Sequence, residues 1–121
     1  MNDKTTCIRK MKNFSEGDSF TIDAEMYLTG KSFRYDTSKQ ERRIRPVKGQ
    51  IRNGLEVSQN FNIECSRYAR YDYSMETIFR LDVTVCRKTN KTSFYNYFDE
   101  YYLRSYNQNL RSVAEYESQG I

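Results

Sequence analysis

Hydrophobic and polar residues alternate clearly in two stretches of the chain. In residues 19–28 the even positions, beginning with Phe20 and Ile22, are apolar and the odd positions are mostly polar. In residues 77–88 the odd positions from Phe79 to Val85 are apolar, and the even positions between them are polar. Because alternate side chains of a strand point to opposite faces of a sheet, both stretches predict β-strands with one buried face.

Shorter patterns between these stretches predict further elements. Residues 31–35 read as a short second strand after Gly30, and the polar residues 36–43 have no period, which is typical of an exposed loop. Asn53 and Gly54 lie between short apolar runs. This pair favours the positive φ angles of a type I′ turn, so we expect a tight hairpin there.

Residues 61–73 alternate in the same way and predict a second long strand that ends in a turn near Ser74. If this strand pairs directly with residues 77–88, Arg67 falls among apolar side chains, where an unpaired charge is too costly. Three arrangements avoid that cost: a β-bulge, a carboxylate partner for Arg67, or an exposed sheet edge. We expect the bulge. The same pairing would place Cys65 and Cys86 on adjacent strands.

The C-terminal residues show helical rather than alternating periodicity. The residues at this spacing are Tyr102, Tyr106, Leu110 and Val113. They predict a helix that begins at about Asp99 and is terminated near Gly120. The expected fold is therefore mainly β (α+β), an antiparallel bent sheet or small barrel of about six or seven strands with a C-terminal helix, in a single domain of residues 1–121.

Composition limits the chemistry that this domain could perform. The 121 residues include no His and only three Cys, without a C-x-x-C pair, while Tyr and Phe number 11 and 7. His is the commonest general base and metal ligand, so we predict no metal site, no cofactor and no catalytic residue. The odd number of cysteines and a start without an apolar stretch indicate a reducing compartment, the cytoplasm, with all thiols reduced and no membrane partner.

Neither of two nuclease mechanisms has a recognisable signature in the sequence. A metal-dependent nuclease would need a D…E-x-K spacing, which the chain lacks. A metal-free ribonuclease could use Arg, Lys, Tyr and Glu, but no spacing in the sequence selects particular residues for it. A non-enzymatic function is therefore the expectation.

Positive charge is concentrated in residues 31–52. This segment carries eight basic and two acidic residues, a net charge of +6 in a chain whose total is +4, so the remainder is −2. Such asymmetry favours an anionic partner. The candidate phosphate ligands are Arg42, Arg43, Arg45, Lys48 and Arg52. Alternatively, the segment is simply a solvated surface, and the candidates to pair with it are acidic residues near the C-terminus, namely Asp99, Glu100, Glu115 and Glu117.

Tyrosine and arginine are interleaved in residues 67–73. Tyr68 and Arg70 are the candidates for stacking on bases, because exposed rings beside cations hold single-stranded nucleic acid. The alternative is that these rings complete a core with few aliphatic side chains. The first function predicted is thus binding of single-stranded DNA or RNA, in preference to duplex.

A third cluster of rings, in residues 94–102, predicts a protein interface that includes Tyr97, Tyr101 and Tyr102. Tyr covers a large area at a small entropic cost and is enriched in interfaces. The alternative function is therefore a protein-binding module, such as an inhibitor, an immunity-type protein or an assembly protein of a virus or mobile element. Such a module could engage an enzyme or further copies of itself.

Overall fold

The computed structural model describes residues 13–91, 93–94 and 96–119. Over these ranges the chain forms seven strands, one α-helix and two short 3₁₀ helices. The strands are β1 (Ser19–Phe33), β2 (Asp36–Pro46), β3 (Ile51–Arg52), β4 (Leu55–Glu56), β5 (Ile63–Glu64), β6 (Ile78–Lys91) and β7 (Tyr97–Ser105). The helices are α1 (Val113–Gln119) and the 3₁₀ helices Ala69–Asp72 and Tyr106–Gln108. Cys7, the third of the three cysteines, and Gly120, near which the predicted helix ends, lie outside the described residues.

Five strands form one sheet in the order β2-β1-β6-β7-β5, and β3 pairs with β4 as a separate hairpin. All pairs are antiparallel except β5 with β7, which is parallel. The sheet curls until its two edge strands, β2 and β5, contact each other. The prediction of a mainly β fold with a C-terminal helix is confirmed.

The core follows the two alternating stretches of the sequence. Ile22 and Ala24 of β1 face Leu81 and Phe79 of β6 across the ladder, and all four side chains are buried. Asn53 and Gly54 both have positive φ angles, 53° and 77°, as the predicted tight hairpin between β3 and β4 requires.

The exposed loop predicted for residues 36–43 is wrong, because these residues belong to β2. β1 continues through Gly30, whose φ of 88° accompanies an irregular register between Leu28 and Ser32, and the chain reverses at Arg34 and Tyr35. The first five residues of β2 are exposed. A strand with neither face buried has no reason to alternate, so the sequence carried no strand signal here.

The long strand predicted for residues 61–73 is also wrong. Only Ile63 and Glu64 form a strand, and a 3₁₀ helix follows at Ala69–Asp72. β6 pairs with β1 and β7 rather than with this segment, so the expected bulge at Arg67 does not arise and Arg67 is exposed. Because β7 lies between β5 and β6, Cys65 and Cys86 are not on adjacent strands, and both are free thiols.

The helix predicted from Asp99 begins only at Val113. Residues 97–105 form β7, in which Leu103 and Ser105 are buried at strand spacing. Aromatic residues favour strands, and here they outweigh the helical spacing of Tyr102 and Tyr106. Among the described residues, no helix has both the length and the apolar character needed to cross a membrane.

Candidate functional site

A groove of about 440 Å³ lies between the two edges of the curled sheet, and we call it the seam groove. Its walls come from the β1–β2 turn, from β2, from β5 and the segment after it, and from β6 and β7. The lining residues are Phe33, Arg34, Tyr35, Glu41, Arg42, Arg43, Ile44, Asn62, Ile63, Glu64, Arg67, Arg70, Lys88 and Tyr102. Six of them are basic and two are acidic, which leaves an excess of four positive charges.

Tyr35, in the β1–β2 turn, contacts two guanidinium groups at the mouth of the groove. The Cζ atoms of Arg34 and Arg67 lie 5.7 and 5.4 Å from the centre of its ring. Arg67 Nη1 also donates a hydrogen bond of 2.6 Å to Tyr35 Oη. Among the described residues, neither arginine has a carboxylate oxygen within 4.0 Å, so both remain available to an anion.

Arg42 and Arg70 are held deeper in the groove by backbone carbonyl groups. Arg42 Nη1 donates to the carbonyl oxygens of Arg70 (3.0 Å) and Tyr73 (2.8 Å). Arg70 Nη1 donates to the Arg42 carbonyl at 2.8 Å, and Arg70 Nε is buried without a hydrogen-bond partner. These bonds fix the groove wall, so neither guanidinium group can turn towards a ligand without breaking them.

The Tyr71 hydroxyl occupies the edge of β2 next to this pair. It accepts a hydrogen bond from the Arg42 amide (3.2 Å) and donates one to the Gln40 carbonyl (3.0 Å). Its ring lies under the Arg42 guanidinium, at 5.0 Å. Together with Arg70, Tyr71 satisfies outward-facing backbone groups that an edge strand otherwise leaves open to another chain.

Tyr68 lies beside the mouth of the groove with 63% of its surface exposed. Its ring packs edge-on against Phe33, at 5.8 Å between centroids, and lies 5.7 Å from the ring of Tyr35. Phe33 is only 6% exposed and anchors this cluster to the body of the domain. The exposed ring of Tyr68 therefore offers a fixed platform for stacking.

Two carboxylates also line the groove, and both have partners. The Thr29 hydroxyl donates to Glu41 at 2.7 Å, and this bond, assisted by Arg43, holds the pKa of Glu41 below its ordinary value. Glu64 is bonded to Arg104, which does not line the groove. The neighbouring Cys65 is a poor nucleophile because burial raises the pKa of its thiol.

The phosphate ligands predicted from the sequence do not lie together. Arg42 and Arg43 line the groove, whereas Arg45 pairs with Glu25 at 2.8 Å. Arg52 Nε donates to the Thr21 carbonyl, at 2.6 Å, and Lys48 is exposed on the turn after β2. Of the predicted stacking residues, Arg70 lines the groove and Tyr68 flanks it.

The acidic residues near the C-terminus do not neutralise residues 31–52. Asp99 and Glu100 contact Arg87 and Lys88 of β6, at 3.8 and 3.7 Å. Glu117 pairs with Arg80, and Glu115 bonds to the Ser112 amide and the Tyr73 hydroxyl. The expected pairing of residues 31–52 with these four carboxylates is therefore wrong, whereas a solvated surface stays an open alternative for the segment.

The predicted protein interface is divided between two faces of β7. Tyr101 and Tyr102 are consecutive in a strand and point to opposite sides. Tyr102 lines the seam groove, whereas Tyr101 borders a second groove, of about 360 Å³, with Phe14 and Phe61. Tyr97 shares the strand parity of Tyr101 and is 62% exposed.

Sequence reasoning missed Arg34, Tyr35, Arg67 and Lys88. Arg34 and Tyr35 did carry a usable signal, because they are an adjacent Arg and Tyr within the basic segment 31–52. Lys88 enters the groove only because the sheet curls, which no local pattern encodes.

Among the described residues, no group of three or more Cys, Asp or Glu side chains could hold a metal ion. Comparisons of the chain with protein-family models, with curated proteins and with solved structures give no match.

Proposed function

We propose that the chain binds single-stranded nucleic acid at the seam groove. The observation that carries this proposal is the excess of four positive charges in a concave site beside the exposed ring of Tyr68. Cations that follow phosphates, combined with rings that stack on bases, are the recurring means by which proteins hold single strands.

The structure supports different roles for the basic residues of the groove. Arg34, Arg43 and Arg67 have exposed side chains and bind phosphate groups. Arg42 and Arg70 contribute positive potential, but their hydrogen bonds to carbonyl groups make them part of the wall. Arg45, Lys48 and Arg52 lie outside the groove and act at most through the long-range field.

A single strand fits this site better than a duplex. Duplex readout uses a protruding helix or ribbon that enters a groove of the DNA, whereas the cationic site here is concave and only about 440 Å³ in volume. Unpaired bases can turn towards Tyr68 while their phosphates face the arginines.

The test is fluorescence anisotropy with a labelled single-stranded oligonucleotide at several salt concentrations. Replacing Arg34, Arg43 and Arg67 together by Ala removes three phosphate contacts, so the slope of log K against log salt becomes shallower by about 2, from about 0.7 per contact. Lys48→Ala is the matched control, an exposed cation outside the groove. Binding that is unaffected by the triple substitution would exclude the seam groove as the site.

A protein partner is the second candidate, favoured by exposed rings at the far end of the β6–β7 pair. Phe94, Tyr97 and Phe98 are 77%, 62% and 49% exposed, and Tyr101 is 37% exposed. If this surface binds a protein, Tyr97→Ala and Tyr101→Ala abolish the complex while oligonucleotide binding is retained. Tyr102→Ala serves as the control, because this ring faces the seam groove instead.

We also infer that the protein works in a reducing compartment such as the cytoplasm. Both described cysteines, Cys65 and Cys86, are free thiols on strands or segments that β7 separates. Thiol titration of freshly purified, denatured protein should find every cysteine reduced.

A further inference from the structure

The seam groove is small compared with the path of a single strand. Its volume of about 440 Å³ lies near the lower end of the range for small-molecule sites, roughly 300–1,000 Å³. Proteins that bind single strands along their length typically cover about 4–16 nucleotides for each domain of the oligonucleotide-binding fold. The groove therefore encloses only a short piece of a strand.

The charge of the groove is high for so short a piece. Its lining has an excess of four positive charges, whereas each internal nucleotide of a strand brings a single negative charge. A terminal phosphate monoester carries about 1.5 to 2 negative charges at neutral pH and has three terminal oxygens that accept hydrogen bonds. A strand end that bears such a group matches the charge density of the groove better than an internal segment does.

Two exposed arginines at the mouth of the groove share one neighbouring ring. Arg34 and Arg67 lie against the same ring, that of Tyr35, and both are exposed. Two guanidinium groups can share the three oxygens of a monoester, since each group donates in a fork. Tyr68 lies 5.7 Å from Tyr35, so a base attached to that phosphate has a ring within reach.

We propose that the seam groove binds the phosphorylated end of a single strand, with the terminal phosphate monoester between Arg34 and Arg67. This inference rests on the proposed function, single-strand binding at the same groove. Tyr35 is a positioning residue in this arrangement, because its ring and hydroxyl hold the two arginines rather than the ligand.

The experiment compares three oligonucleotides of one sequence, each about ten nucleotides long: one with a 5′-phosphate, one with a 3′-phosphate and one with neither. The label is placed internally, and affinities are measured at one fixed salt concentration. We expect one phosphorylated form to bind at least about tenfold more tightly than the unphosphorylated strand. The end that gives this preference identifies which terminus enters the groove.

Substitutions locate the effect on the protein. Replacing Arg34 and Arg67 by Ala should abolish the preference, so that the three strands bind the variant with equal affinity. The affinity for the unphosphorylated strand also falls, because both arginines contact phosphate groups in the proposed function. Lys48→Ala should keep the preference. Both arginines are exposed, so folding is retained, and circular dichroism checks it.

The outcomes separate this inference from the proposed function. Equal, salt-dependent affinity for all three strands overturns the end preference and leaves single-strand binding intact. Absence of binding to any strand at low salt overturns both. A preference that survives loss of Arg34 and Arg67 places the phosphate elsewhere and contradicts the assignment.

Discussion

Arg42 and Arg70 donate hydrogen bonds to each other's backbone carbonyl groups, at 3.0 and 2.8 Å. The exchange joins the edge of β2 to the 3₁₀ helix Ala69–Asp72, two elements that share no ladder of backbone bonds. Arg42 continues to the Tyr73 carbonyl and Arg70 to the Cys65 carbonyl. In the sequence, Arg42 and Arg70 look like free cations. In the structure they join two elements at one wall of the seam groove, and we call them the arginine pair.

Because of these hydrogen bonds, replacing either residue of the arginine pair should destabilise the protein more than replacing an ordinary surface arginine. Arg42→Ala and Arg70→Ala should each lower the free energy of unfolding by about 2 kcal/mol, because hydrogen bonds from a charged group are lost and partly buried carbonyls are left unpaired. The measurement is urea unfolding followed by circular dichroism. A Lys replacement should recover only part of the loss, since an ammonium cannot reproduce the planar fork.

Arg43→Ala is the matched control, with the same loss of charge at an adjacent, exposed position. Its effect should stay within about 0.5 kcal/mol. If Arg42→Ala were as mild as Arg43→Ala, the carbonyl bonds would contribute nothing to the folded state, and Arg42 would again be a candidate ligand.

The sequence predicts a strand of this fold correctly when one face of that strand is buried and the other is exposed. β1 and β6 alternate because the core covers one side of each, so both strands were predicted. Most of the predicted inward-facing residues are buried, but Leu28, at the end of the alternating stretch, is 45% exposed. β2 is exposed along its first half, and β7 is rich in aromatic residues that also fit a helical spacing. Where burial does not act on alternate positions, periodicity cannot identify a strand.

The site was predictable only in part for a related reason. Charge and aromatic content drew attention to Arg42, Arg43 and Tyr68, which the structure places in or beside one groove. The groove itself depends on the curl that brings β2 against β5, a contact between residues distant in sequence. Arg67 and Lys88 line the groove because of that contact, and no pattern in their local sequence predicts this position.

The start of α1 provides a prediction about pH. Ser112 and Glu115 form a capping box: the Glu115 amide donates to Ser112 Oγ at 3.1 Å, and the Ser112 amide donates to Glu115 Oε1 at 2.8 Å. The bond from the Ser112 amide, followed by that from the Tyr73 hydroxyl, lowers the pKa of Glu115. Burial, together with the Glu115 bond, raises the pKa of Tyr73 to about 12.

A lowered folded-state pKa stabilises the protein above the ordinary pKa of Glu, about 4.3, and this stabilisation is lost as pH falls through the folded value. Glu115→Gln should therefore be less stable than the parent at pH 7, by about 0.5 kcal/mol, and the difference should shrink as pH falls below the ordinary pKa of Glu, about 4.3. Thermal unfolding across this pH range measures it. Glu76→Gln, at an exposed position outside the helix, should show no such convergence; a constant difference for Glu115→Gln would contradict the charge-based explanation.

Tyr68 gives the most direct test of whether an aromatic ring takes part in binding. Its ring is 63% exposed but is fixed by contacts with Phe33 and Tyr35, so little entropy is lost when a base stacks on it. Tyr68→Ala should weaken oligonucleotide binding by about 1–3 kcal/mol, whereas Tyr68→Phe should cost much less because the π-face survives. Anisotropy titrations of both variants give the comparison.

Tyr97→Ala removes a ring of nearly equal exposure, 62%, from a surface outside the seam groove. It should leave oligonucleotide affinity unchanged, and that contrast distinguishes stacking at one place from a general loss of surface tyrosine. Equal losses for Tyr68→Ala and Tyr97→Ala would mean that rings act without a defined site. A loss for Tyr68→Phe as large as that for Tyr68→Ala would assign the effect to the hydroxyl, and Tyr68 would then bind through a hydrogen bond rather than by stacking.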